Sequence, residues 1–353
     1  MNKRFAALAI AVLCVVSVAP YLSILVSGQG ISTSPSMRAE VTLPDHVDVS
    51  PQPLRDMHSN KKPPLLPRGG KDFQPGRPLP VGNSNPSVVD ELVAKSIGFP
   101  AALVDPKAAT NGTPVDPTYA VAPPDTTGDL GPNHYVQWVN LRYSIYTLTR
   151  DAGNNNNITA FNLVSGFPKN GNVVWQGFGG KCENDNDGDP IVQYDQLADR
   201  WVLTQFAVSG SPYTQCVAVS TSPDPTGTYY RYSYSYGTDF NDYPKMGVWP
   251  NAYYITYNIF RNGSTFRGNK VCAFERSQML VGATARQVCA QTSRSYHSLL
   301  PADLEGTTLP PTNSPNFLLS IGTSTLQYWK FTVNWAGSGS GTLTGPTTIS
   351  GAA

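Results

Sequence analysis

The feature that most constrains this chain is an ordered recurrence of short strand-like runs between about residues 124 and 349. Runs of this length, rich in β-branched and aromatic residues and bounded by Gly, Pro, Asn and Asp, are typical of β-strands. The clearest unit contains four of them in succession, at Pro190–Tyr194, Arg200–Ala207, Gln215–Thr221 and Thr228–Tyr236. Four consecutive strands joined by short turns predict one small antiparallel sheet.

The same order of runs returns in three further units. The second runs of the four units begin, in chain order, at His134, Arg200, Ala252 and Phe317. In the first unit the fourth strand is expected at Val173–Phe178. A repeat of roughly 50 to 65 residues with four strands in each is the size of a β-propeller blade. We therefore predict an all-β, propeller-like fold of about four four-stranded antiparallel blades, at residues 124–180, 181–238, 239–293 and 294–353. A β-sandwich is the alternative, because it also contains many short strands.

The last segment of the sequence bears on whether such a ring closes. After Trp335 the chain is dominated by Gly and Ser and ends in one weak strand, Gly341–Ile349. A closed ring pairs or packs its last blade against its first, which hides apolar faces and strand edges from water. Nothing in this segment is patterned to do so. We therefore predict an open arc whose outer blade faces are exposed, or covered by another copy of the chain.

The N-terminal part differs in composition from the repeats. Met1–Arg4 is basic and the apolar run Phe5–Val26 carries no charge, which is typical of an export signal and also long enough to span a bilayer. We predict a signal peptide or membrane anchor at residues 1–28, and a secreted or cell-surface location for the rest. Between Ile31 and Pro124 lie 17 of the 31 prolines, which predicts an extended or disordered Pro-rich stalk at residues 29–123.

Charge and cysteine content exclude some classes of function. The net charge is +1 and only 14% of residues are charged, so there is no basic surface for nucleic acid. Contact with a membrane is expected only through the N-terminal segment, if it stays uncleaved. Four cysteines follow Cys14, an even number that favours two disulfides in an exported chain. We predict the local pairs Cys182–Cys216 and Cys272–Cys289, which join neighbouring parts of the same unit.

Several phrases of the repeats resemble a largely uncharacterised family of secreted bacterial propeller proteins. They are Pro124–Gln137, Asp187–Pro190, Asp199–Trp201 and Asn241–Lys245. The resemblance implies export and a propeller, and it supplies no catalytic residues. The turn Ser222–Tyr229 is similar to the Asp-box of sialidases, with one residue displaced and Tyr in place of Trp. That likeness implies that Asp224 stabilises a hairpin turn by accepting backbone N–H groups.

Acidic residues recur beside the first strand of each unit, in the pairs Asp125 and Asp129, Asp187 and Asp189, Asp239 and Asp242, and Asp303 and Glu305. First strands line the central channel of a propeller, so we expect these carboxylates near its mouth. They either cap tight turns or form a shared site. Asp189, Asp242 and Glu305 lead successive units and are similar to the acid set of five-bladed glycosidases, which makes them the catalytic candidates if the chain is an enzyme.

The densest acidic run suggests a metal site. Glu183, Asp185, Asp187 and Asp189 alternate with Asn and Gly, a pattern that suits the many oxygen ligands of calcium. The EF-hand spacing is absent, so a hydrogen-bonded loop without metal is the alternative. No other cofactor is indicated.

Function is less constrained than fold. The chain contains no G-x-S-x-G, H-E-x-x-H or Walker motif. Its four alternating tyrosines, from Tyr230 to Tyr236, either pack between blades or form a stacking platform. The sequence favours a binding or scaffold module for an extracellular glycan or protein. The alternative is a glycan-acting hydrolase that uses carboxylates at the channel mouth, so enzymatic activity stays an open question.

Overall fold

The computed structural model describes residues 35–58, 125–306, 308–322 and 325–350. The expected signal or anchor at residues 1–28 lies outside these residues, as does the larger part of the expected stalk. Three short strands and a 3-10 turn come first in the described chain: β1 (Ser36–Arg38), β2 (Glu40–Thr42), β3 (His46–Val49) and η1 (Leu54–Asp56).

The repeats form four antiparallel sheets, which confirms the all-β, propeller-like prediction. In blade 1 the strands are β4 (Thr126–Leu130), β5 (His134–Val139), β6 (Arg142–Asp151), β7 (Asn154–Leu163) and the short β8 (Lys169–Asn170). In blade 2 they are β9 (Ile191–Asp195), β10 (Arg200–Ala207), β11 (Tyr213–Ser220) and β12 (Tyr229–Gly237).

Blade 3 contains β13 (Asp239–Trp249), β14 (Ala252–Arg261), β15 (Thr265–Phe274) and β16 (Gln287–Gln291). Blade 4 contains β17 (Leu300–Pro301), β18 (Asn316–Ile321), β19 (Thr325–Asn334) and β20 (Ser340–Ser350). Each blade is a meander in which sequential strands pair, and the first strands β4, β9, β13 and β17 contact one another from blade to blade. The first strands are therefore innermost.

Three apolar cores join the blades in sequence. The first lies between blades 1 and 2 around Trp138, Trp175 and Trp201, the second between blades 2 and 3, and the third between blades 3 and 4 around Trp329. Strands β10 and β14 are buried along nearly their whole length because a blade packs on each of their faces. Among the described residues no such core joins blade 4 to blade 1, and the open arc stays a prediction.

The alternating tyrosines pack in the second core, as one of the two readings predicted. Tyr232, Tyr234 and Tyr236 are buried, and their hydroxyls donate to Ala283 O, Ala285 O and Gln287 Oε1 of blade 3. Each ring therefore contributes apolar area to the core, and each hydroxyl keeps a hydrogen-bond acceptor on the neighbouring blade.

Both expected disulfides are present. Cys182–Cys216 joins a short helix, α1 (Gly180–Asn184), to β11, with the Cα atoms 5.8 Å apart. Cys272–Cys289 joins β15 to the directly paired β16, with the Cα atoms 4.1 Å apart. Two disulfides indicate folding in an oxidising, extracytoplasmic environment. A second short helix, α2 (Arg276–Met279), follows β15, and no described helix is both long and apolar enough to cross a membrane.

Two local expectations were wrong. Val173–Phe178 was expected as the fourth strand of blade 1, but Gly171–Trp175 forms a buried 3-10 turn (η2), and β7 is the fourth strand. The Asn-rich start of β7 resembles a turn in sequence, which concealed it. The second difference lies in the expected stalk: β1, β2 and β3 pair with the outer strands β20, β16 and β12 of blades 4, 3 and 2.

Candidate functional site

The inner strands of the four blades begin with the same unusual backbone conformation. Asp125, Asp189, Tyr243 and Ser298 have φ values of 41°, 43°, 54° and 53°, in the left-handed region that non-glycine residues rarely adopt. Each lies at or just before the start of an inner strand, or at the irregularity of β13 between Asp242 and Lys245. Residues held in this conformation concentrate at functional sites, so this rim of the channel is the candidate site.

Three carboxylates from different blades lie near enough to one lysine at this rim to act on it electrostatically. Lys245 interacts electrostatically with Asp189, Asp125 and Asp242, which come from blades 2, 1 and 3. Partial burial lowers the pKa of Lys245 from its ordinary value, and attraction to the three carboxylates opposes that shift. We call Asp125, Asp189, Asp242, Tyr243 and Lys245 the mouth cluster.

An aromatic ring completes the mouth cluster. The Lys245 ammonium lies 3.7 Å from the centroid of the Tyr243 ring and donates to Pro244 O at 3.0 Å. Tyr243 is 43% exposed, although most tyrosines of the blades are buried. Asn140, at the end of β5, donates to Asp125 Oδ2 at 2.9 Å. The cluster therefore offers carboxylate acceptors, an ammonium group and an accessible ring face.

The remaining inner-strand acids have a different role. Asp129 accepts the backbone N–H of Tyr194 at 2.7 Å, which joins blade 1 to blade 2. Asp303 accepts the N–H of Val248 at 2.7 Å, which joins blade 4 to blade 3. We call these two residues, together with the buried Asp195, the tie group. Asp129 lies four residues beyond Asp125 along β4, or roughly 13 Å at 3.3 Å per residue.

Asp195 makes the strongest of these ties. It is fully buried in blade 2, and its carboxylate accepts from Arg276 Nε at 2.6 Å, Arg276 Nη2 at 2.9 Å and Tyr253 OH at 2.7 Å, all in blade 3. Its other partners are the N–H groups of its own turn, Leu197 and Ala198. The two-pronged guanidinium contact and the other donors give both oxygens of this buried carboxylate hydrogen-bond partners.

The three catalytic candidates therefore do not share one site. Asp189 and Asp242 belong to the mouth cluster, whereas Glu305 accepts from Gln196 Nε2 at 2.9 Å and lies near Asp129 and Asp303. Glu305 follows the inner strand of blade 4 instead of preceding it, so its carboxylate lies farther along the channel. Glu305 therefore resembles Asp189 and Asp242 in its position in the sequence repeat, but not in its position in the fold.

The four acids expected to bind calcium each have protein partners of their own. Glu183 accepts the N–H of Gly179 at 2.8 Å, Asp185 pairs with Lys181 Nζ at 3.1 Å, and Asp187 accepts the N–H of Val208. Asp189 belongs to the mouth cluster. Among the described residues no group of three or more His, Cys, Asp or Glu lies close enough together to hold a metal ion. In the described part of the chain, these four acids therefore do not form a common set of calcium ligands.

Burial changes the acidity of one loop carboxylate. The pKa of Asp187 is raised to about 6, chiefly because burial penalises its charged form, while the N–H of Val208 opposes the shift.

Asp224 has the turn-stabilising role that the Asp-box likeness implied, since its Oδ1 accepts both the N–H and the hydroxyl of Thr226 at 2.8 and 2.7 Å.

Sequence reasoning missed Tyr243 and Lys245. Both stand in the phrase Asn241–Lys245, which was noted only as part of a resemblance. A lysine two residues after a Tyr and beside a Pro gives no periodic signal. Only the folded arrangement reveals that the irregularity in β13 directs it toward carboxylates of two other blades.

No family model matches the chain, and no curated protein matches it. Among solved structures, it is similar to an exo-β-1,3-galactanase from Clostridium thermocellum, with a TM-score of 0.37 and 11% identity over 68% of this chain and 51% of that one. An exo-β-1,3-galactanase from Phanerochaete chrysosporium, in complex with galactose, matches with a TM-score of 0.34 and 13% identity over 68% and 53%. This chain spans about half the length of each. A similarity this weak is no basis for assigning an activity. The fold is inferred from the sheets and apolar cores described above.

Proposed function

We propose that this protein is an extracytoplasmic binding module that holds a glycan at the mouth cluster. The observation that carries the proposal is that Asp125, Asp189 and Asp242, from three blades, all act electrostatically on Lys245. The ammonium group of Lys245 lies 3.7 Å from the centroid of the exposed Tyr243 ring. Carboxylates accept hydrogen bonds from sugar hydroxyls, and an exposed tyrosine offers both an apolar ring face and a polar hydroxyl.

The lysine favours binding over catalysis. Lys245 interacts with these three side chains as an ammonium group with carboxylates, and a carboxylate accepts hydrogen bonds from hydroxyls but cannot donate one. A glycosidase needs one protonated carboxyl group as its general acid, opposite a second, charged carboxylate. The mouth cluster therefore offers the acceptors of a binding site more readily than the acid of a hydrolase.

A glycan array on the purified protein tests the proposal. We expect binding to a defined set of glycans that is weakened at least about tenfold in Tyr243→Ala and in Asp189→Asn, since each removes a contact at the centre of the site. Asp239→Asn is the matched control, because Asp239 pairs with Arg261 away from the mouth cluster. Binding that persists unchanged in both mouth variants would exclude this site.

The second candidate is a glycan-acting hydrolase, and the specific observation in its favour is the presence of three carboxylates in one cluster. Hydrolysis needs two of them separated by about 5 to 9.5 Å. A screen of the array-positive glycans for reducing ends released over time separates the two functions. Turnover that disappears in both Asp189→Asn and Asp242→Asn would replace the binding proposal with the hydrolase.

A further inference from the structure

The segment of residues 36–57 runs along the outside of the blades. Its strands β1, β2 and β3 each add an antiparallel fifth strand to a four-stranded blade, in the order blade 4, blade 3, blade 2. Leu54 and Met57 then enter the core between blades 1 and 2. One segment from the start of the described chain thus contacts all four blades, and we call it the strap.

The two ends of the strap are attached very differently. At the end near blades 1 and 2, Leu54 and Met57 are 0% and 1% exposed. The Lys169 ammonium of β8 donates to three strap carbonyls, those of Leu54, Arg55 and Met57, at 2.8, 2.7 and 2.6 Å. Removing these residues would leave a cavity and a buried ammonium group without acceptors, so this end is fixed.

An ion pair strengthens the fixed end. Arg231 of β12 is fully buried and binds both oxygens of Asp48 in β3, at 2.8 and 2.6 Å. The same guanidinium donates to Val174 O and Gln176 O of blade 1, at 3.2 and 2.8 Å. Arg231 therefore joins the strap, blade 2 and blade 1 through one side chain.

The other end has only short strand pairing. Strands β1 and β2 contain three residues each, and none of the residues from Ser36 to Leu43 is buried. Met37, Ala39 and Val41 are half-buried against the core between blades 3 and 4. Gly341 permits this approach, since a Cβ there would lie 3.0 Å from Ala39 Cβ. In the described structure no ion pair holds this end.

We propose that residues 36–42 are a releasable strand covering a peptide-binding edge formed by β16 and β20. The partner this edge fits is an extended peptide with small or medium apolar residues at alternate positions, because Met37, Ala39 and Val41 occupy it in that pattern. Once residues 36–42 are released, the backbone of the peptide pairs with the uncovered edges of β16 and β20, which supplies affinity. Its alternate side chains contact the core between blades 3 and 4, which supplies specificity. The inference is independent of the mouth cluster and of its ligand.

Hydrogen exchange on the full-length protein tests the release. We expect the amides of residues 36–42 to exchange at least about tenfold faster than those of residues 46–50 and 54–57, because the releasable end opens without unfolding the blades. This measurement needs no variant. Equal exchange rates along the whole strap would mean that it opens only with global unfolding, and the proposal would fail.

Peptide binding tests the edge itself. The variant Met37→Asp/Val41→Asp, in the full-length chain, places two charges against the apolar core and keeps the strap from its edge. A fluorescent peptide with the sequence of residues 34–43 is expected to bind this variant at least about tenfold more tightly than the wild-type protein, in which the strap competes. The same peptide carrying both Asp substitutions is the control. Equal binding to the two proteins, or equal binding of the two peptides, would overturn the proposal.

Discussion

The mouth cluster and the tie group both contain aspartates that lie on or beside the inner strands, yet these aspartates interact with different kinds of partner. Carboxylates of the tie group accept backbone N–H groups or a guanidinium of a neighbouring blade, so their bonding is complete within the fold. Those of the mouth cluster gather around one half-buried lysine beside an exposed ring. The partners of an acid beside an inner strand therefore depend on what its carboxylate faces in the fold, which its position in the repeat does not reveal.

The largest expected effect is on stability, at the buried member of the tie group. Asp195→Ala leaves the Arg276 guanidinium without its carboxylate and Tyr253 OH without its acceptor. We expect a loss of about 3 to 5 kcal/mol in the free energy of unfolding, since a buried charge loses its partner. Denaturant unfolding measures it. Asp239→Ala, which breaks the more exposed pair with Arg261, is the control and should change little. A similar small loss in both variants would contradict the role of Asp195 as a tie between blades 2 and 3.

The next effect concerns pH and the loop that leads into blade 2. The pKa of Asp187 is about 6 in the folded protein and near 3.9 when unfolded, so between these values the folded state binds more protons. The free energy of unfolding should therefore fall as pH rises through this window, by about 2 kcal/mol in total. Asp187→Asn should remove this slope. Unfolding curves at pH 4.5 and 7 measure it, and an unchanged slope in the variant would assign it to other groups.

Calcium extends the same experiment. If the acidic loop binds calcium, the ion favours charged Asp187, so millimolar calcium would lower its pKa and raise stability at pH 7. The separate partners of the four acids lead us to expect equal melting temperatures in calcium and in chelator. A rise with calcium that disappears in Asp187→Asn would support the metal-binding interpretation of the sequence.

A smaller stability effect is expected at Asp129, the tie between blades 1 and 2. Its two oxygens accept the N–H groups of Leu130 and Tyr194, both at 2.7 Å. Asp129→Asn retains only one acceptor oxygen, and we expect a loss of about 1 to 2 kcal/mol from the unmatched amide. Chemical unfolding measures the loss, and the glycan array should remain unaffected. A variant that keeps its stability but loses glycan binding would move Asp129 into the functional group.

Sequence patterns determined the blades far better than they determined the sites. Arg200–Ala207 was predicted to the residue because it is rich in aromatic and aliphatic residues, and seven of its eight positions are buried between blades. The disulfides followed from cysteines that lie close together in one unit. The strap was missed because strands of three or four residues carry no periodic pattern, and Ser36 pairs with Thr344 at the opposite end of the chain. Lys245 was missed because the three carboxylates that act on it come from three blades, a relation that only the packing of blades 1, 2 and 3 creates.

The smallest effect is electrostatic and lies within the mouth cluster. Asp189→Asn retains the left-handed backbone conformation, which Asn tolerates well, so stability should change by less than about 0.5 kcal/mol. The variant removes the carboxylate with the largest effect among the three that favour protonated Lys245, so the pKa of Lys245 should fall further below its ordinary value. An NMR titration of labelled lysine measures that change, with Asp129→Asn as the control that should leave it in place. If the pKa of Lys245 is the same in the wild-type protein and in Asp189→Asn, the carboxylate and the ammonium group do not interact. The mouth cluster would then not be a single site.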